Sequence, residues 1–389
     1  MQTLPLTDDE LAAWLRLAMA PGLKPAALRQ LLAAFGLPDA VLAQPFDALA
    51  QATDDACARA LLSPAPADFP AQLDAVRAWR DVPGNALVTL DDPSYPPSLL
   101  TMPDPPPLLY VKGRIELLHT RSVAVVGSRS ATPQGIDDAT RFARVLSDAG
   151  LTVVSGLASG IDGAAHRGAL QGRGGTVAVI GTGADIVYPA SHHALAHQIA
   201  EHGAIMSEWP LGTPARSAHF PQRNRLIAGL AGGVLIVEAA MRSGSLITAR
   251  LANEMGRDVF AIPGSIHAPL ARGCHRMIKQ GAKLIESPED VLDELGFATL
   301  PSAARVHALN EAARRHLAAT EEPQNRAEIS SEARRLLDAL GHSPATLEIL
   351  AERTEMDDTL LQSTLLRLEL AGELCALPGG RYVRAVHSG

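Results

Sequence analysis

Three short stretches hold side chains and bare backbone suited to gripping an anion: GSRS (127–130), FPQRNR (220–225) and RSGS (242–245). Glycine in a strand-to-helix turn frees backbone N–H groups, and arginine adds a planar fork for carboxylate or phosphate. Gly127, Ser128 and Arg129 make one such turn. Ser243, Gly244 and Ser245 make another, beside Arg242. In FPQRNR, Arg223 and Arg225 are two apart at a helix start and therefore face differently. One is available to a ligand and the other to Glu208 or Glu238, which are expected to orient arginines. Asn224 can donate and accept. Phe220 offers a ring to a nucleobase or to the core.

A fourth stretch, SGLASGIDGAAHRGAL (155–170), adds Gly156, Asp162 and His166. Asp162 falls in a first helical turn, where it can cap, orient Arg129 or serve as a base. His166 lies one turn on, and a structural hydrogen bond is the commoner role for such a pair. In GTGADIVYP (181–189), Asp185 is a second anchor and Tyr188 a residue that shapes the loop. No nucleophile accompanies Asp162 and His166, and no GxxxxGK[ST] loop is present. The histidines 192, 193, 197 and 202 lack an HExxH pattern and read as a solvated face. Cys57, Cys274 and Cys375 are too scattered for a disulfide framework or zinc site. The expectation is a binding protein without a catalytic constellation, metal or cofactor.

These turns need strands behind them. VAVV, LTVVSG, TVAVIGTG, AIMSEWP, GGVLIVEA and DVFAIPG are short apolar runs, each ending in a turn and separated by helical stretches. That alternation predicts an α/β fold with a mostly parallel sheet covered on both faces. The glycine turns then fall at the strands' carboxyl ends, where such sheets bind ligands. Residues 1–65 read as short helices with a helix-hairpin-helix-like PGLK turn, and 66–122 as a Pro-rich bridge with two short strands. The core spans 123–295 and a linker 296–325. Residues 326–387 carry three helices and a hairpin, the order of a winged helix.

The net charge of −8 conceals an asymmetry. Residues 121–283 contain 16 Lys or Arg against 10 Asp or Glu, a balance of +6, and the remainder 18 against 32, or −14. A basic middle points to a polyanion partner for the core alone. The helix DDTLLQSTLLRLELAGE (357–373) is too acidic for a groove reader, so the last unit is expected to contact protein, another part of its own chain, or nothing strongly, with duplex binding through Arg381 and Arg384 as the alternative. No signal peptide or long apolar run is evident, which makes a soluble cytoplasmic protein the expectation.

The motifs VAVVGSRSATPQG, VSGLASGIDGAAHRGAL, TVAVIGTGADIVYP, SEWP, FPQRNRLIAGL and SGSLITARLANEMGR occur in the order found in the DNA-processing protein A (DprA/Smf) family. The chain resembles that family over roughly residues 85–290, with similar accessory units at both ends. The resemblance implies a Rossmann-like core, a small SAM-like helical domain and a winged-helix domain. It also implies a homodimer that binds single-stranded DNA, protects incoming DNA during natural transformation, displaces single-strand-binding protein and loads the RecA recombinase. Carried over by motif, the DNA contacts are Arg129, Arg223 and Arg225. Arg242 or Lys283, Phe220, Ser243, Ser245 and the backbone at Gly127, Ser128, Gly156 and Gly244 complete the expected set. Two alternatives stand beside this reading. One is a phosphoribohydrolase-like nucleotide-processing enzyme, although its PGGxGTxxE signature is missing. The other is a protein-interaction scaffold built on the acidic ends.

Overall fold

The computed structural model describes residues 6–297, 331–340, 345–354, 356–371, 373–377 and 381–384. It divides into two units, Met1–Thr299 and Leu300–Gly389.

The larger unit is organised by one nine-stranded sheet. Its strands are β1 (Asn85–Thr89), β2 (Leu108–Gly113), β3 (Ser122–Val126), β4 (Thr152–Ser155), β5 (Thr176–Val179), β6 (Ala204–Ser207), β7 (Gly233–Ile236), β8 (Asp258–Ala261) and β9 (Lys283–Leu284). The spatial order is β1-β2-β6-β5-β4-β3-β7-β8-β9. Strands β3 to β9 pair in parallel. β2 joins β6 antiparallel and β1 joins β2 antiparallel, so the Pro-rich segment extends the sheet at one edge.

Side chains alternate across a strand, and the core divides accordingly. Val123 and Val125 face one buried cluster with Phe142, Ile161, Leu235 and Phe260. Ala124 and Val126 face the other with Val154, Val179, Leu226, Ile227 and Ile236. Both faces are dry, which explains the unbroken apolar runs. Helices Pro133–Asp148 and Ile161–Ala169 cover the first face, and His219–Leu230 and Ser245–Glu254 the second. The small residues of Ile161–Ala169 have a local reason: a Cβ on Gly168 would strike the Thr140 carbonyl of the neighbouring helix.

From β3 the chain steps outward through β4, β5 and β6, then returns to place β7 on the other side of β3. The connections leaving β3 and β7 diverge there, opening a crevice at the strands' carboxyl ends.

Ahead of the sheet, short helices enclose Leu17, Leu28, Leu31, Val41, Leu49 and Leu61. A 12-residue helix, Phe69–Arg80, lies within the stretch read from sequence as a loop-rich bridge. Its Val76 packs with Leu11, Leu15, Leu87 and Tyr110 beneath the antiparallel edge.

In the smaller unit, helices Ser331–Leu340, Leu347–Thr354 and Asp358–Leu370 enclose Leu336, Leu350, Leu361, Leu365 and Leu374. A sheet ordered β10-β12-β11 completes it, from β10 (Ala345–Thr346), β11 (Leu374–Leu377) and β12 (Arg381–Arg384). The helix and strand order agrees with the winged-helix expectation. The turn Pro378-Gly379-Gly380 and linker residues 298–325 lie outside the described residues.

Candidate functional site

A cleft of about 740 Å³ opens at the switch in strand order. The turn after β3 supplies Gly127, Ser128 and Arg129, and the segment after β4 supplies Ala158 and Asp162. Phe220, Arg223 and Asn224 come from helix His219–Leu230. Arg242, Ser243, Gly244, Ser245 and Thr248 come from the segment after β7 and the helix it opens. Stretches separated by more than a hundred residues thus form one wall.

Three observations describe the wall's cations. Arg129 and Arg242 are exposed and, among the described residues, make no ion pair. Arg129 lies over the Phe220 ring, 4.9 Å from its centroid. Arg223 is only 3 % exposed; its Nη1 donates to the Val179 carbonyl, while its Nε is buried without a partner. Burial pulls the Arg223 guanidinium down to about 10, against the opposing pull of Asp162. A buried cation with a spare donor at the cleft wall is suited to an incoming anion.

Asp162 sits behind Arg223. Its carboxylate accepts from the backbone N–H groups of Gly156 at 3.2 Å and Ala158 at 3.3 Å. Burial raises its pKa, with Arg223 and the two N–H groups opposing. His166 is fully buried. Its Nε2 accepts from Leu157 N–H at 3.3 Å, and its Nδ1 lies 2.7 Å from Thr176 Oγ1. Thr176 donates onward to the Val153 carbonyl, so the pattern assigns the proton to Nδ1. The ring steadies a strained turn, because Leu157 holds a φ of 58° without being glycine.

Burial pushes His166 down to about 3, with His192, Arg223 and Arg167 acting the same way. Its ordinary value is about 6.5. Between those values the unfolded chain binds a proton that the folded chain refuses, so stability falls as pH drops from about 6.5 toward 3. The slope from this group cannot exceed about 1.4 kcal/mol per pH unit. Denaturant unfolding should show His166→Phe destabilised by about 2–4 kcal/mol at pH 7, from two lost buried hydrogen bonds. Its stability should also decline less than that of the wild type between pH 7 and pH 5. Equal declines would contradict this role.

The remaining candidates are placed as follows. Arg225 ion-pairs with Glu208, donates to the Asp104 carbonyl at 2.8 Å and lies 3.3 Å from the Asp104 carboxylate. It does not line the cleft. Glu208 is buried enough for its pKa to rise to about 7 despite Arg225. Glu238 accepts from the Thr132 N–H at 2.9 Å and hydroxyl at 2.6 Å, holding the β3 turn against the β7 segment. Asn224 reaches the Gly244 carbonyl at 3.3 Å. Ser243 and Ser245 hydroxyls are 2.7 Å apart.

Lys283 is on the edge strand β9, between Asp258 and Glu294, and is not among the cleft residues. Gly156 is also outside the lining, and its missing Cβ makes room for the Arg223 guanidinium. A Cβ at Gly127 would meet Ile161 at 2.6 Å. At Gly244 it would meet nothing within 4 Å, and the backbone there is ordinary, with φ −63°. Tyr188, read from sequence as a residue that shapes the loop, stands in the cleft wall with its ring 5.7 Å from that of Phe220. Its exposure could not be read from a Tyr-Pro pair alone.

Among the described residues no group of three or more His, Cys, Asp or Glu could hold a metal ion. No helix there is long and apolar enough to cross a membrane.

The family model described as DNA recombination-mediator protein A matches residues 86–296, and that of the DprA winged helix domain matches residues 320–380. Protein Smf of Escherichia coli is 41% identical over 80% of this chain and 80% of its own length. The X-ray structure of DNA processing protein A from Streptococcus pneumoniae aligns at 38% identity, covering 75% of this chain and 99% of that one, with a TM-score of 0.63. The corresponding protein from Helicobacter pylori, solved for its single-stranded DNA binding mode, aligns at 30% identity over 54% of this chain and 95% of its own, with a TM-score of 0.50.

Proposed function

The chain belongs to the DNA recombination-mediator protein A family, and on that footing we propose that it binds single-stranded DNA in the cleft and acts as a recombination mediator. The observation that carries this reading is the contrast between the core's cations inside and outside the cleft. Arg225 and Lys283, outside the cleft, are neutralised by carboxylates, whereas Arg129 and Arg242 within it are exposed and make no ion pair among the described residues, on a wall of hydroxyls and bare backbone. Phosphates fit that wall, and phosphate contacts hold a strand without reading its sequence. The finer reading follows the family resemblance: a homodimer with a Rossmann-like core that protects incoming DNA, displaces single-strand-binding protein and loads RecA in the cytoplasm. A division into helical, core and winged-helix domains accompanies it.

The groups that a phosphoribohydrolase would need are otherwise engaged. Glu208 is paired with Arg225, Glu238 with Thr132, and Asp162 with two backbone N–H groups. A nucleic-acid site therefore suits the geometry better than an acid–base centre.

The test is fluorescence anisotropy of a labelled oligo-dT across a salt series. Affinity should fall with salt on a log–log slope of about −0.7 per phosphate contact. No binding at low salt, or binding indifferent to salt, would overturn the proposal.

A further inference from the structure

The chain is poor in aromatic residues: four Tyr, seven Phe and three Trp. Among the described residues only Tyr188 has an exposed ring, at 47 %. It stands in the cleft wall and makes no hydrogen bond through its hydroxyl among the described residues. Its ring leans on Phe220 at a 48° tilt. Arg129 rests on that same Phe220, 4.9 Å from its centroid, against 5.7 Å for Tyr188. The rings are too close to admit a base between them, which leaves the outward, exposed face of Tyr188 open to one. Phe220 serves as the backing, held by Arg129 and, more distantly, by Arg223 at 5.9 Å.

From this juxtaposition we infer that Tyr188 is a nucleobase-stacking residue, paired through Phe220 with a phosphate contact at Arg129. The inference rests on the single-stranded DNA reading and adds to it a reason for strand selectivity. Arginines attract the phosphates of duplex and single strand alike, whereas a ring can stack only on a base whose face is free. Every base has such a face, so the contact tolerates any sequence.

The experiment compares an oligo-dT with an abasic oligonucleotide of the same length, using wild type, Tyr188→Ala and Tyr188→Phe. The wild type should prefer oligo-dT by about tenfold, the scale of one aromatic–base contact. In Tyr188→Ala that preference should shrink to near unity, and in Tyr188→Phe it should survive, because the ring remains. Equal wild-type affinity for both oligonucleotides would overturn the inference while leaving phosphate binding intact. A Tyr188→Ala preference as large as the wild type's would overturn it too. A wild type that binds neither would overturn the single-stranded DNA reading, and this inference with it.

Discussion

Replacing Arg223 with alanine is expected to cost about 3–5 kcal/mol of folding stability, the scale seen when a buried charge loses its partner. The side chain is almost wholly enclosed, tied to the Val179 carbonyl and set before the buried Asp162 carboxylate. Removing it leaves a hole beside a carboxylate supported by two N–H groups and, more weakly, by Arg129. The pH dependence separates this explanation from simple loss of packing. The folded-state pKa of Asp162 is already raised, and losing Arg223 raises it further. A carboxyl with a raised folded pKa carries little penalty below its ordinary value of about 3.9 and an increasing one as pH rises. The variant's deficit, measured by urea unfolding, should therefore be larger at pH 8 than at pH 5. Adding Asp162→Asn should recover part of it. A deficit below about 1 kcal/mol, or one constant with pH, would contradict this account. Arg223→Ala is consequently a poor probe of ligand contact, since weaker binding would be confounded with weaker folding.

Two residues along the same helix, Arg225→Ala should cost a similar amount, about 3–5 kcal/mol, for a different reason. It strands Glu208, whose pKa of about 7 already reflects burial winning against one adjacent guanidinium. It also severs the Asp104 segment, which Arg225 binds through both carbonyl and carboxylate. Glu208→Gln should be milder, because it removes the buried charge and can keep a hydrogen bond. Thermal unfolding of both variants checks the order. Should Arg225→Ala melt like the wild type yet lose DNA affinity, Arg225 would be a ligand contact.

The fates of these two arginines show what the sequence could reveal. Their spacing of two on a helix already implied that they face differently, and Glu208 was a foreseeable partner for one. Which arginine would be enclosed depends on how closely β5 and helix Ile161–Ala169 approach, and pattern does not convey that. The strand–turn–helix repeats were legible because both faces of the sheet are buried around β3 to β8, whose central positions are apolar. Helix Phe69–Arg80 was not, since prolines there suggested loops. In this fold they repeatedly open helices, at Pro25, Pro38, Pro70, Pro97 and Pro133. Such positions suit proline, because the first helical N–H groups have no intrahelical partner.

Two of the glycines expected to present backbone to a ligand also have packing roles: Gly127, which lines the cleft, makes room for Ile161, and Gly156 for the Arg223 guanidinium. Gly244 is constrained by neither packing nor φ, which leaves its surface bare to the cleft. Lys283, expected beside or in place of Arg242 as a DNA contact, is held by Asp258 and Glu294, a pairing that pattern does not convey.

The most direct test of the central claim is the salt-dependent oligo-dT affinity of Arg129→Ala/Arg242→Ala beside the wild type. Both side chains are exposed and make no ion pair among the described residues, so the fold should survive the change. The expected loss is at least about a hundredfold at low salt, at about 1.5–3 kcal/mol for each of the two charge-assisted contacts. The salt slope should become shallower by about 1.4. Wild-type affinity with an unchanged slope would contradict it and place any DNA elsewhere on the molecule.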